Sequence, residues 1–523
     1  MPSPSFSVSQ PGALRWQRPP LALLWLLAWL AAWVLWNSLW DGALYGDNVE
    51  QFVWAHSMEW GYHKHPPMPT WLLGAAMALV GPQWWLANAM AGLCFAGTGV
   101  LTWLIARRLG GPLVAALTAV LWGLQQSFSV TAHIYNHNTV LVLFVAAFVW
   151  AVLRALAVLD RPRQALAWWA LSGALAAAAV LSKYQAVLPL AAWACFALYN
   201  GRPRLRVVQG LVLAALLCCV LLLPHLLWSV VHHFPSLRYA SQALQEGGLW
   251  HRLSWVLTFF VNQTRMLFPL LLTCLLAAGV AFARGAWQVR RKSSAGAPQL
   301  AVQNVGSVEN RPVLAQHSDG GLERLGQWAL LWGPLALVVL ASLLTGGVLR
   351  NHWGVQLCQF FCLWLAWRWQ SSPALALPRL LWLAACVHLL GFAYYAHKQS
   401  NPLAAQAQSR ADAAYPARAM AQAGLALWDG TTNCPLRNVA GDFEAALVSI
   451  YSGRNPVVYG DAVSTPWVTA RALQAQGALY VVAQEADLPP GLVGKRAWAL
   501  NAALAPQGKQ VWLAVQLPAQ PCK

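Results

Sequence analysis

The stretch LALLWLLAWLAAWVLWNSLW, residues 21–40, carries no charged side chain. A helix needs about 20 mostly apolar residues to cross about 30 Å of hydrocarbon, and this stretch is long enough. Its apolar run is longer than the roughly 7–15 residues of a cleaved signal peptide, so we interpret it as a retained first span. Further apolar runs occur at 140–159 and 207–223. The sequence therefore predicts a membrane protein with several helical spans.

The charge distribution supports the same conclusion. Only 10% of the residues are charged, whereas soluble domains contain roughly 25%. The net charge of +18 comes from basic residues concentrated in alternate loops between the apolar runs. Examples are Arg107, Arg108, Arg161, Arg163, Arg202, Arg204, Arg206, Arg290, Arg291, Lys292, Arg368 and Arg379. Because cytoplasmic loops are enriched in Lys and Arg, this pattern explains the charge without a nucleic-acid partner.

Placing the basic loops inside predicts about eleven spans, with the N-terminus in the cytosol and the C-terminus outside. The predicted fold class is an all-α polytopic membrane domain, residues 1–400, followed by a small extracytoplasmic α/β domain, residues 401–523. The first outer loop covers 41–85, and a flexible inner loop covers 285–327. The predicted spans are 20–40, 86–106, 112–130, 139–158, 165–182, 185–200, 207–228, 266–284, 327–345, 354–370 and 378–396.

The C-terminal part alternates short strand and helix patterns, as in a small α/β domain. We predict strands at 436–440, 456–459, 478–483 and 510–515, and helices at 442–451 and 466–476. Cys434 and Cys522 are the two cysteines of this polar region. They could pair as a disulfide in an oxidising compartment, or they could remain free thiols.

The outer loop DGALYGDNVEQFVWAHSMEWGYHKHPP, residues 41–67, contains four of the 16 acidic residues of the chain. A carboxylate beside the bilayer can pair with a cation, bind a metal or act as a base on a hydroxyl. The alternative is a solvated loop whose acids cap helices. Residue types alone leave these possibilities open.

The motifs of this loop, however, resemble a known family. An acidic motif after the first span, an aromatic residue and then Gly-Tyr-x-x-His-Pro-Pro are similar to the first loop of bacterial GT-C glycosyltransferases. That superfamily includes ArnT-like lipid A transferases and protein O-mannosyltransferases. Further matches are Leu-Ser-Lys-Tyr at 181–184, Pro-His-Leu-Leu-Trp at 224–228 and Asn-His-Trp at 351–353. The resemblance covers roughly residues 15–400.

The resemblance implies transfer of a sugar from a polyprenyl-phosphate carrier to a lipid, glycan or protein acceptor. It also implies a bacterial inner-membrane location with the site on the periplasmic side, in contact with membrane lipids. The paired Asp-Glu of the family falls on Asp47 and Asn48, so the second acid is missing, and Glu50 could replace it. The lysine that ArnT-like proteins place before Pro-Pro is His65, next to Lys64.

We therefore predict a single displacement that inverts the sugar, with Asp47 as general base and Glu50 as a second catalytic carboxylate. Cations must stabilise the leaving phosphate, and a lysine at the end of an apolar helix is a strong candidate. The predicted phosphate-binding residues are Lys183, Lys64, His65 and Arg350. The predicted substrate contacts are His63, Tyr62, Asn138, Tyr184 and His352.

No glycine-rich phosphate loop is present in the sequence, which disfavours a soluble nucleotide substrate. We assign no metal ligand and no certain cofactor, although outer histidines together with Asp47 could hold a divalent ion. Two other functions remain open. One is a transporter or flippase of lipid-linked substrates, and the other is a non-catalytic glycan-binding scaffold.

Overall fold

The computed structural model describes residues 21–199, 203–241, 248–294, 325–372, 376–400, 415–441, 443–500, 510–520 and 522. Within these ranges, eight helices are long and apolar enough to cross a membrane. They are Leu21–Trp40, Leu86–Trp122, His137–Ala157, Pro162–Ser182, Arg204–Val231, Phe268–Trp287, Leu325–Thr345 and Leu377–His397. The predicted polytopic helical fold is confirmed, whereas the number of eleven spans stays a prediction.

The helices of the membrane part follow one another with short connections. In chain order they are α1 (Leu21–Trp40), α2 (Gly46–Trp54), α3 (Met68–Val80), α4 (Leu86–Trp122), α5 (His137–Ala157), α6 (Pro162–Ser182), α7 (Val187–Tyr199), α8 (Arg204–Val231), α9 (Pro235–Ser241), α10 (Leu249–Met266), α11 (Phe268–Ser294), α12 (Gly333–Thr345), α13 (Gly354–Leu357), α14 (Phe361–Trp369) and α15 (Leu377–Ser400). A π-helical turn, Trp328–Trp332, precedes α12.

Several boundaries differ from the sequence-based expectation. The second and third predicted spans form α4, which is interrupted where Gly111 adopts a φ of 83° before Pro112. Proline cannot donate the next helical hydrogen bond, and glycine tolerates the left-handed turn. The predicted span 354–370 is broken into α13 and α14. Helix α11 continues to Ser294, into the predicted flexible loop, and 295–324 lie outside the described residues.

Burial distinguishes central helices from peripheral ones. About 67% of the apolar window of α5 is buried, compared with 17% for α8. Helix α8 instead exposes large apolar side chains three or four residues apart, at Val212, Leu216, Val220, Leu223 and Leu227. Such a stripe on one helix face is expected where a helix faces lipid. Helix α5 is thus the enclosed centre of the bundle, and its N-terminus is held in place by its neighbours.

The C-terminal part is a sheet with helices, as predicted, but the sheet has five strands instead of the predicted four. Its strands are β1 (Asn438–Gly441), β2 (Val457–Tyr459), β3 (Ala478–Val482), β4 (Val493–Ala499) and β5 (Gln510–Gln516), in the order β2-β1-β3-β5-β4. Strands β2, β1 and β3 are parallel, and β5 is antiparallel to both β3 and β4. The accompanying helices are α16 (Ala417–Thr431), α17 (Phe443–Tyr451) and α18 (Ala470–Gln476). Cys434 and Cys522 are joined as a disulfide.

The C-terminal sheet domain packs directly on the first outer loop. Val49 and Phe52 of α2 belong to the same buried cluster as Leu447 of α17. The guanidinium of Arg418 lies 4.5 Å from the ring centroid of Trp84, a cation–π contact between the two parts of the chain. The domain therefore packs against α2 in an apolar cluster that also includes residues of α4.

Candidate functional site

The site is built around the N-terminus of α5. Asn136 caps this helix, since its side-chain oxygen accepts hydrogen bonds from the backbone N–H groups of Asn138 (2.8 Å) and Thr139 (3.1 Å). Asparagine is a preferred N-cap because it satisfies otherwise free N–H groups of the first turn. The same side chain donates its Nδ2 to the Asp47 Oδ2 at 2.8 Å. The cap therefore fixes the position of the Asp47 carboxylate.

The second asparagine of this turn holds a lysine. Lys183 Nζ donates to Asn138 Oδ1 at 2.8 Å, and the contact is buried. Lys183 follows the end of α6 at Ser182 in an extended conformation, which directs the chain away from the helix. Its ammonium also lies 5.8 Å from the ring centroid of Trp353. Burial lowers the pKa of Lys183 to about 7, and the nearby Asp47 carboxylate opposes that shift.

Asp47 and Lys183 are thus held by Asn136 and Asn138, the two residues that flank His137 in the sequence. The carboxylate and the ammonium interact electrostatically, but the hydrogen-bond partner of each is a neutral amide. An acid and a cation separated in this way can act on different atoms of one substrate. The positive end of the α5 dipole adds to the attraction for an anion at this place.

A second acid–base pair lies on the loop side. Glu50, one turn after Asp47 on α2, accepts a direct hydrogen bond from the Lys64 ammonium. Burial raises the pKa of Glu50. Burial alone would disfavour the charged form of Lys64, but the adjacent carboxylate outweighs it and raises the pKa of Lys64. These two predicted site residues therefore neutralise each other.

Histidines fill the space between the two pairs. The His65 ring lies 3.6 Å, centroid to centroid, from the His137 ring. Burial, and then the charges of Lys183 and Lys64, keep the pKa of His65 well below its usual value. His63 is similar, since burial and Lys64 lower its pKa to about 4 although Asp461 of the sheet domain opposes the shift. Both imidazoles are therefore neutral at pH 7.

The predicted tyrosines lie at the edges of the site. Tyr62 is 2% exposed, stacks on Trp54 with ring centroids 4.7 Å apart and donates its hydroxyl to the Ser57 carbonyl at 2.7 Å. The Tyr184 hydroxyl lies 2.8 Å from the His225 Nε2, and the other nitrogen of that ring lies 2.6 Å from the Trp60 carbonyl. These contacts connect the C-terminal ends of α6 and α8 to the first loop.

The remaining predicted residues occupy the short helix Asn351–Trp353 and the residue before it. Arg350 and His352 are both exposed, and His352 is close enough to Lys183 to interact with it electrostatically. The structure therefore brings Asp47, Glu50, Lys64, His65, Asn138, Lys183 and His352 into one charged neighbourhood. Arg350 is exposed at the edge of this group, and Tyr62 is buried within the first loop.

Three contributors were not predicted as site residues: Asn136, Gln51 and Trp353. Gln51 accepts a hydrogen bond from Thr70 at 2.7 Å and lies 3.4 Å from His137. Asn136 has a signal in the sequence, because an asparagine before an apolar run is typical of a helix N-cap. Among the described residues, no group of three His, Cys, Asp or Glu side chains is arranged to hold a metal ion.

Comparisons with known proteins show which families and folds this chain is similar to. A sequence model of the dolichyl-phosphate-mannose-protein mannosyltransferase family matches residues 64–228. The lipid A galacturonosyltransferase RgtD of Rhizobium johnstonii is 23% identical over 248 residues, which are 47% of this chain and 51% of that protein. The chain thus matches about half the length of this relative.

Two crystal structures of ArnT from Cupriavidus metallidurans are similar over nearly the whole chain. The structure with bound undecaprenyl phosphate has a TM-score of 0.53 at 14% identity and covers 97% of this chain and 100% of ArnT. The apo structure has a TM-score of 0.50 at 14% identity, with 96% and 99% covered. The chain shares the ArnT fold, and the predicted resemblance to GT-C glycosyltransferases is confirmed.

Proposed function

We propose that this protein is a membrane glycosyltransferase that moves a sugar from a polyprenyl-phosphate donor to an extracytoplasmic acceptor. The observation that carries the proposal is the placement of Asp47 and Lys183 on the two asparagines of the α5 N-terminus. Transfer from a lipid phosphate needs a base for the incoming hydroxyl and a cation for the departing phosphate. These two side chains provide both within one partly buried network.

In the proposed reaction, the acceptor hydroxyl oxygen attacks the anomeric carbon of the sugar. The bond from that carbon to the phosphate oxygen breaks, and its electron pair leaves with the polyprenyl phosphate. Asp47 accepts the hydroxyl proton as the new glycosidic bond forms, and Lys183 offsets the charge that develops on the phosphate. A single displacement of this kind inverts the anomeric configuration.

The similar proteins support the two classes of substrate. One ArnT structure holds undecaprenyl phosphate, which supports a polyprenyl-phosphate carrier here. The name of RgtD supports a lipid acceptor among the alternatives of lipid, glycan and protein. We place the site on the periplasmic side of a bacterial inner membrane, because the basic loops alternate with the loops that form it.

In the proposed site, Asp47 is the base, whereas Glu50 keeps Lys64 in place beside the donor phosphate. His65, His352 and Arg350 complete the phosphate surroundings, and His63, Tyr184 and Asn138 border the sugar or the acceptor. Tyr62 contributes indirectly, because its ring and hydroxyl hold the loop that carries His63 and Lys64.

The test is transfer by purified protein supplied with polyprenyl-phosphate-linked sugars and envelope lipids, followed by mass spectrometry. The wild type should release polyprenyl phosphate and form a glycosylated acceptor. Asp47→Asn keeps the size of the side chain but removes its basicity, so the rate should fall by about 10²–10⁴-fold at unchanged donor affinity. Transfer by Asp47→Asn at the wild-type rate would contradict the proposal, and donor movement without chemistry would favour a flippase.

A further inference from the structure

A buried amide next to Asp47 completes the polar network of the outer face. Asn48 is fully buried, and its Nδ2 donates to the Asn88 Oδ1 at 2.7 Å and to the His133 carbonyl at 3.0 Å. Its Oδ1 accepts the backbone N–H of Tyr135 at 2.7 Å. Asn88 in turn donates to the Ser38 hydroxyl at 2.9 Å. One side chain therefore links α2 to α4 and to the segment before α5.

The Asn48 side chain lies next to the hydrogen bond between Asn136 and Asp47. Residues 47 and 48 of α2 face residues 136 and 135, so the bond from Asn136 to Asp47 and the bond from Tyr135 to Asn48 are neighbours. A shift of Asn48 away from Tyr135 would move the asparagine cap relative to the Asp47 carboxylate. Together, the hydrogen bonds of Asn136 with Asp47 and of Tyr135 with Asn48 fix the orientation of the Asp47 carboxylate.

The chemistry of the pocket also determines which side chain it accepts. The pocket presents two acceptor oxygens, from Asn88 and the His133 backbone, and one donor, the Tyr135 N–H. A primary amide matches this set, since it offers two N–H donors and one acceptor. An ionised carboxylate would offer acceptors only and would face two oxygens in a buried place. The backbone carbonyl of His133 cannot be reoriented as a side chain can.

We propose that Asn48 is a positioning residue for Asp47, and that this place requires a neutral side chain that donates hydrogen bonds. Position 48 therefore does not accommodate a second catalytic acid, and an acid introduced there lowers the transfer rate and the stability. This inference rests on the proposed function for its catalytic part. Its pocket chemistry stands independently of that function.

The test compares three variants with the wild type in transfer rate, donor affinity and Tm. Asn48→Ala should lower the rate by about 10²-fold with donor affinity unchanged, because a small displacement of a catalytic group costs about that much. Asn37→Ala is the matched control. Asn37 is also buried and also donates to a carbonyl of the same segment, that of Val130 at 2.9 Å, and its other hydrogen bond goes to the Trp33 carbonyl within α1. Its rate per folded protein should stay within about threefold of the wild type.

Asn48→Asp provides the readout that a purely structural role would not produce. Burial raises the pKa of the introduced carboxyl above its unfolded value of about 3.9. The folded state then binds the proton more tightly, so stability relative to the wild type is greatest at low pH. That stability declines as pH rises from the unfolded pKa towards the folded one. The protonated carboxyl can donate one hydrogen bond, so the rate relative to the wild type should fall with pH in the same direction.

A relative rate and a relative Tm of Asn48→Asp that do not vary with pH would overturn the inference, as would equal rate losses in Asn48→Ala and Asn37→Ala. Absence of transfer by the wild type would contradict the proposed function instead. In that case the pH dependence of the Asn48→Asp Tm still decides whether the pocket demands a neutral donor.

Discussion

The α5 side and the loop side of the site each contain one carboxylate and one ammonium, but only on the loop side do the two charges contact each other. On the α5 side, Asp47 and Lys183 are each held by an asparagine and do not form a direct ion pair. On the loop side, Glu50 and Lys64 are in direct contact and cancel each other. The α5 side is also more enclosed, with Lys183 9% exposed, whereas the Lys64 and Glu50 side chains are 33% and 23% exposed.

This difference indicates where substrate charges can be bound. A carboxylate and an ammonium that are held by neutral amides can each interact with a new partner without first breaking an ion pair. A paired carboxylate and ammonium in contact with water contribute little net field. We therefore expect substitutions on the α5 side to change binding and chemistry strongly, and substitutions on the loop side to change them slightly.

The first way to test this comparison is to remove the ammonium from the α5 side. Lys183→Ala should weaken donor binding by about 10–100-fold, because a hydrogen bond to a charged group contributes about 1.5–3 kcal/mol. Binding of a polyprenyl phosphate to purified protein, measured by calorimetry or native mass spectrometry, checks the prediction. Lys64→Ala is the matched lysine variant, and an equal loss in both variants would remove the distinction between the two halves.

The pH dependence of donor binding should sharpen the same distinction. Burial lowers the pKa of Lys183 to about 7, so the empty site holds its ammonium form below that pH and loses it above. Donor affinity should then fall as pH rises above about 7, by no more than the roughly 10–100-fold that Lys183→Ala loses.

Lys183→Arg is the variant that isolates this effect. A guanidinium remains charged throughout, so the affinity of this variant should not follow pH between 6 and about 9. An identical pH dependence of donor affinity in the wild type and in Lys183→Arg would show that another group titrates.

The smallest effects are expected on the loop side. Glu50→Gln removes an acid from the same helix that carries Asp47, but its partner is Lys64 and its side chain is partly exposed. Transfer should change by less than about fivefold, consistent with an ion pair of about 0.2–1 kcal/mol. Initial transfer rates of Glu50→Gln and of the wild type at saturating donor measure this change. A loss as large as that of Asp47→Asn would instead support the sequence-based prediction that Glu50 is a second catalytic carboxylate.

The sequence predicted the two charged residues at the N-terminus of α5, Asp47 and Lys183, but not the asparagines that hold Asp47 in place. Asp47 and Lys183 are rare charges beside apolar runs, and such residues are conspicuous in a chain with few acids. Asn136 and Asn48 are uncharged, and their importance depends on which segments meet in space. Three segments that are far apart in the sequence meet at the site, as the contacts of Asn136 with Asp47 and of His225 with Trp60 demonstrate.

The fold was predictable where a periodic apolar pattern existed. Helix α3 was not predicted, because His-Pro-Pro-Met-Pro reads as a loop although two prolines fit a helix start. Strand β4 was not predicted either, since it is an exposed edge strand containing Lys495 and Arg496 and has no buried face. Helix α16 was not predicted; it lies in an alanine-rich segment that also contains Arg418, Gln422 and Asp429.

The anomeric configuration of the product tests the central claim most directly. If Asp47 is a base in a single displacement, purified wild-type protein should form a glycoside of inverted configuration, with one polyprenyl phosphate released per sugar transferred. Nuclear magnetic resonance of the product, together with mass spectrometry of the lipid, measures both. A product of retained configuration would mean that a carboxylate attacks the sugar covalently, and it would contradict the assignment of Asp47 as the base.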